Sequence, residues 1–132
     1  MASIFTRIID REIPGYIVAE TEEFIAFLDV RPMTEGHTLC VPKREVDYYY
    51  DLTDEELTGL TLFSKRVAKG LRSFIPCKRI ANGVLGLEVP HAHLHLVPIR
   101  QEGDFRFGKV VEVSDARMQE IREGVSAAIA KL

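Results

Sequence analysis

The 132-residue chain has no apolar run near the ~20 residues that cross a bilayer, and its start, MASIFTRIID, lacks the apolar stretch of a secretory leader. A cytoplasmic protein with no membrane partner is therefore expected. Positive charge is not in excess either. Seventeen Lys and Arg face 20 Asp and Glu, for a net charge of −3 and a pI of about 5.8. Such a field repels nucleic acid, so any phosphate must be held locally by a few donors in a pocket. Cysteine is scarce: Cys40 and Cys77 match no metal-ligand spacing and read as free thiols. There is no repeat, low-complexity tract or linker, so the chain reads as one unit. What is present, 46% apolar and 28% charged residues, is the balance of a soluble globular domain. A chain of this length hides roughly 70% of its unfolded surface and needs no metal or disulfide staple.

Residues 16–20 and 24–29 read as two short strands around the charged turn Thr21-Glu22-Glu23, and residues 37–41 as a third ended by Pro42. Arg31 to Gly36 reads as a loop. Thr53 with Glu56 forms a capping box, and Leu57, Leu60, Val67, Leu71 and Phe74 recur at helical spacing until Pro76 stops the helix. Residues 79–87 and 91–99 read as two further strands, and 100–109 as a long surface loop. A last helix starts at Ser114 and buries Met118, Ile121, Val125, Ile129 and Leu132. This order argues for an α+β fold with an antiparallel sheet.

One segment is not explained by composition. His91-Ala92-His93-Leu94-His95 holds three of the four histidines in five residues. In a strand, alternate side chains share a face, so the three imidazoles would line one side and Ala92, Leu94 and Leu96 the other. Solvated histidines on a polar strand face are the bland account. A metal site competes, but same-face Cα atoms lie roughly 6–7 Å apart. Bringing His91 and His95 onto one ion at ~2.0 Å would strain a regular strand. Phosphorus chemistry fits better: a neutral imidazole attacks, and its phosphoramidate is discharged by water. Flanking imidazoles stabilise phosphate oxygens and the leaving group.

At this point the sequence resembles the histidine triad (HIT) nucleotide hydrolases and transferases. Their signature His-φ-His-φ-His-φ-φ, with φ apolar, is met by His91-Ala92-His93-Leu94-His95-Leu96-Val97. The opening Ile4-Phe5-Thr6-Arg7-Ile8-Ile9 through Glu12-Ile13-Pro14 resembles the family's IFxxIIxxEIP. Phe27-Leu28-Asp29-Val30-Arg31-Pro32 and Gly36-His37-Thr38-Leu39-Cys40-Val41-Pro42-Lys43 resemble its FxDxxP…GHTLxxPK block. The opening points to the nucleotide-binding branch acting on phosphoramidates more than to the branch acting on dinucleoside polyphosphates.

The resemblance implies a HIT-like fold of about five antiparallel strands, one long helix and a C-terminal helix, with a HIT domain over 4–108 and a helical extension over 109–132. It implies His93 as nucleophile toward the α-phosphorus, His91 orienting it through its backbone carbonyl, His95 assisting the leaving group, and His37 beside them. Asp29 would bind ribose hydroxyls, Phe5, Ile8 and Phe27 would wall a purine pocket, and Leu87, Glu88 and Val89 would line the phosphate approach. No cofactor or metal is implied. The ligand would be a purine nucleotide, and the branch pairs as homodimers, for which residues 54–75 could supply an interface.

Several positions depart from the family. Gly86-Leu87 stands where relatives carry Gly-Gln, which removes a donor to the α-phosphate, and ionised Glu88 cannot replace it. Ile80 stands at an expected asparagine, with Asn82 nearby. Ile4-Phe5-Thr6-Arg7 lacks the zinc-binding cysteines of some relatives, and Glu45 replaces a histidine. The expected activity is hydrolysis of purine nucleoside phosphoramidates or related monophosphate conjugates through a nucleotidyl-histidine. The alternatives are a dinucleoside polyphosphate hydrolase and a nucleotide-binding protein with little turnover.

Overall fold

The structure is a computed structural model that describes residues 2–132. Five strands, β1 (Ile17–Glu20), β2 (Phe24–Leu28), β3 (Thr38–Pro42), β4 (Arg79–Gly83) and β5 (Leu94–Ile99), form one antiparallel sheet in the order β1-β2-β3-β5-β4. Helices α1 (Ile4–Ile9), α2 (Asp54–Phe74) and α3 (Asp115–Ala130) complete the fold. The expected α+β architecture is therefore present.

Strand alternation sorts the core onto two faces. Phe24, Ala26 and Leu28 of β2, with Cys40 and Leu96, pack under Leu60, Phe63, Val67 and Leu71 of α2 and Met118, Ile121 and Val125 of α3. Leu60, Val67, Leu71, Ile121 and Val125 are fully buried, and each such side chain contributes about 1.5–3 kcal/mol of transfer free energy. The opposite face carries Ile25, Phe27, Leu39 and Val41, covered by Phe5 and Ile8 of α1. The capping box of Thr53 and Glu56 forms as its spacing predicts. α2 and α3 approach closely at Gly70, where an added Cβ would meet the Ile129 side chain and backbone.

Local differences from the sequence reading have identifiable causes. α1 is too short to show a periodic stripe. Six residues are marginal as an isolated helix, and this one is held by its Ser3 cap and by burial of Phe5 and Ile8. β5 begins at Leu94 rather than His91, because the Ala92 N–H donates to the Val46 carbonyl at 2.6 Å, outside the strand ladder. β4 ends at Gly83, and 84–90 is irregular. The third strand runs from Thr38 and keeps Pro42 as its last residue, opposite Phe24. Leu57 and Phe74 are only half-buried, and Leu132 lies beyond α3 and is exposed.

Candidate active site

The site grows out of one row of the sheet. Phe27 of β2 pairs with Leu39 of β3, Leu39 with His95 of β5, and His95 with Gly83 of β4, so these positions lie side by side across four strands. Phe27, Leu39 and His95 therefore share the face that α1 covers. Gly83 has no side chain because the Phe105 ring fills that space; a Cβ there would sit 2.8 Å from it. Just before β3, Gly36 takes φ +93°, with Ile75 and Pro98 closing over it, and the turn delivers His37 beside His95.

All four histidines are buried: His91 is 0%, His37 2%, His93 6% and His95 8% exposed. The three of the triad do not line a regular strand face, since His91 and His93 precede β5. They are ordered by hydrogen bonds instead. The Pro42 carbonyl lies 2.7 Å from His91 Nε2, so that nitrogen carries the proton. Its Nδ1 then accepts from the Ser3 hydroxyl at 2.7 Å. The His91 carbonyl accepts from His93 Nδ1 at 2.7 Å, which leaves His93 Nε2 with its lone pair free. On the other side the Met33 backbone N–H donates to His37 Nδ1 at 3.0 Å, so His37 Nε2 carries a proton and gives it to His95 Nδ1 at 2.9 Å. His95 is left with its proton on Nε2. Fixed backbone partners thus set His93 as an acceptor and His95 as a donor, with ring centroids 4.9 Å apart.

Electrostatics agree with this assignment. Burial, reinforced by the neighbouring histidines, pushes His37 down to about 4 and His95 down to about 3. His93 is lowered as well, chiefly by burial, against the opposing pull of its bond to the His91 carbonyl. The imidazoles are therefore neutral at neutral pH, as a nitrogen nucleophile requires. Asp29 is raised by burial. Its Oδ1 accepts from the Arg31 N–H at 2.9 Å, while Oδ2 lies 3.7 Å from His37 Nε2.

Asp29, His37 and His95 also bring one potential metal-ligating atom each within 4.8 Å of the others. The hydrogen bonds argue against that use. His37 Nδ1 already accepts from Met33, so a cation on Nε2 would require either an imidazolate or loss of that bond.

The Phe5 ring stands edge-on to His93 at 5.0 Å and to Phe27 at 5.3 Å, and Ile8 and Val89 join the same cluster. Phe5, Ile8, Phe27, Val89, Asp29 and the four histidines are therefore brought together. Leu87 is not: it is 83% exposed on the 84–90 segment. Glu88 is exposed too, yet close enough for its charge to act on His93 and Asp29. An apolar cavity of about 490 Å³ lined by Phe24, Leu62, Phe63, Val67 and Ile129 lies across the sheet, away from the histidines.

The family model for the HIT domain matches residues 10–102. The chain belongs to the HIT family. It is 37% identical over 122 residues to an uncharacterized HIT-like protein of Methanocaldococcus jannaschii, covering 89% of this chain and 94% of that one. It is 40% identical over 102 residues to the adenosine 5'-monophosphoramidase of Saccharomyces cerevisiae, covering 76% of this chain and 65% of that one. The crystal structure of a hypothetical histidine triad nucleotide-binding protein from Sulfolobus tokodaii superposes with a TM-score of 0.86 at 26% identity, covering 97% of this chain and 92% of that one.

Three contributors to this HIT site are not evident from the sequence. Ser3 and Glu45 reach the triad from distant segments, and Phe107, in the loop read only as surface, packs edge-on against His95 at 5.0 Å. Ser3 left a signal as a capping residue before an apolar run, and Glu45 as the residue standing at an expected histidine. Nothing in the 100–109 composition marks Phe107.

Proposed function

We propose that the protein hydrolyses purine nucleoside phosphoramidates or related nucleoside monophosphate conjugates through a covalent nucleotidyl-His93 intermediate. The observation that carries this reading is the opposed protonation of two neighbouring rings: His93 offers a bare Nε2, and His95 offers an Nε2–H. His93 Nε2 attacks the α-phosphorus as the bond to the leaving group breaks. His95 hydrogen-bonds the phosphate or the bridging atom while charge develops there. Nδ1 of His93 stays on the His91 carbonyl, which stabilises the positive charge the ring gains. Water then attacks the nucleotidyl-histidine, restoring Nε2 and releasing the nucleoside monophosphate. Asp29 keeps one carboxylate oxygen for the ribose hydroxyls, and Phe5, Ile8, Phe27 and Val89 supply the apolar wall for the base. The yeast relative's phosphoramidase activity supports the substrate class.

The same reading takes 4–108 as the HIT domain with 109–132 as its helical extension, working as a cytoplasmic homodimer. β4 is an edge strand at which a second copy could extend the sheet, and light scattering would report the dimer mass.

The test is rapid-quench incubation with an adenosine phosphoramidate, followed by intact mass and peptide mapping of wild type and His93→Ala. One adenylyl group on the His93 peptide, absent in the mutant, is the expected result. Wild type that binds nucleotide but neither turns over nor acquires the adduct overturns the hydrolase reading.

A further inference from the structure

We propose that Ser3 and Glu45 are positioning residues for the nucleophile, holding the His91 ring, and with it the residue whose carbonyl accepts from His93, in one orientation. The inference rests on His93 being the nucleophile. Glu45 Oε1 accepts from the Ser3 backbone N–H and from the Thr6 hydroxyl, both at 2.7 Å, and lies 4.0 Å from His91 Nδ1. The Thr6 N–H donates to Ser3 Oγ at 3.0 Å. The Ser3 hydroxyl proton is thereby left for His91 Nδ1 at 2.7 Å, and His91 Nε2–H donates to the Pro42 carbonyl. Glu45 thus fixes Ser3 through its backbone, Ser3 fixes the His91 ring through its hydroxyl, and the His91 backbone carbonyl receives His93 Nδ1–H.

Each link has a single arrangement. Pro42 O and His91 O are acceptors only, and the Thr6 N–H is a donor only, so no ring can reverse without leaving a buried group unpaired. Ser3 is also the N-cap of α1, whose Phe5 stands against both His91 and His93. One hydroxyl therefore ties the helix that walls the candidate base pocket to the ring that attacks phosphorus.

The experiment combines steady-state kinetics on an adenosine phosphoramidate with ¹⁵N-imidazole NMR of the full chain. Wild type is expected to show His91 protonated on Nε2 and His93 on Nδ1. Ser3→Ala leaves His91 Nδ1 without its donor and is expected to shift the His91 Nδ1 resonance, to weaken the His93 Nδ1–H bond to the His91 carbonyl, and to lower kcat by about ten-fold or more, with KM changed much less. Ser3→Thr keeps the hydroxyl and should restore both readouts. Glu45→Ala should behave like Ser3→Ala, whereas Glu45→Gln, which still accepts both bonds, should stay near wild type. Thermal melts of each variant separate these effects from unfolding. Unchanged His91 and His93 ring resonances in Ser3→Ala overturn the proposal. A loss confined to KM also overturns it, since it would assign the pair to the base pocket alone. Absence of turnover in wild type counts against the proposed function, and the NMR arm still decides the positioning role.

Discussion

His37 Nε2 lies 2.9 Å from His95 Nδ1, both rings buried, with the far nitrogen of His37 held by the Met33 N–H. The bond spans 58 positions of sequence. It makes His37 the group that decides which nitrogen of His95 is protonated, and so what His95 can donate to a substrate.

Removing that partner frees His95 to adopt either tautomer. His37→Ala is expected to lower kcat by about 100-fold, the low end of what a positioned proton donor contributes. KM for the same phosphoramidate should change little, because His37 sits behind His95. Steady-state kinetics check this, and a kcat close to wild type would show that His37 does not set the His95 tautomer.

The same burial makes the fold acid-sensitive. Unfolded histidines titrate near 6.5, whereas His37 titrates at about 4 and His95 at about 3 in the folded protein. Below 6.5 the unfolded chain binds more protons than the native one, so stability falls as pH falls. The loss runs from 6.5 down to about 4 for His37 and about 3 for His95, and stops below those values. Each group contributes a slope of about 1.4 kcal/mol per pH unit within its window. Urea denaturation between pH 7 and 4 should show the decline, and His37→Gln should show a shallower one.

Leu87 is 83% exposed beside the triad loop and supplies no donor. Leu87→Gln is expected to leave kcat/KM within about two-fold, because position 87 lies outside the site the fold assembles. It should alter stability by less than about 0.5 kcal/mol, the usual range for an exposed position. Kinetics and a denaturant melt on the same sample test both statements.

Gly70 lets α2 and α3 touch. An added Cβ would press on the Ile129 side chain and lie 3.3 Å from its backbone nitrogen. Alanine favours a helix over glycine by about 1 kcal/mol, but overpacking costs about 1–3 kcal/mol. Gly70→Ala is therefore expected to destabilise the protein, read as a lower urea midpoint with an unchanged slope.

Much of this protein is local and hence legible in the sequence. The Thr53–Glu56 box starts α2, Ser114 starts α3, and short apolar runs bounded by the Thr21-Glu22-Glu23 turn and Pro42 mark β1, β2 and β3, because capping, runs and breakers are settled within a few residues. The histidine cluster is visible for the same reason. Tertiary structure decided how those histidines act. The sequence pattern puts His91, His93 and His95 on one strand face. In the folded chain the Ala92 N–H goes to Val46, the strand starts later, His91 and His95 find partners far away in sequence, and His93 bonds the carbonyl two residues before it. Ser3, Glu45 and Phe107 join the site only through folding. A neutral imidazole has one donor and one acceptor nitrogen, and residue type does not say which is which. That assignment comes from the fixed backbone groups at Pro42, His91 and Met33, which only the folded chain brings within 3.0 Å.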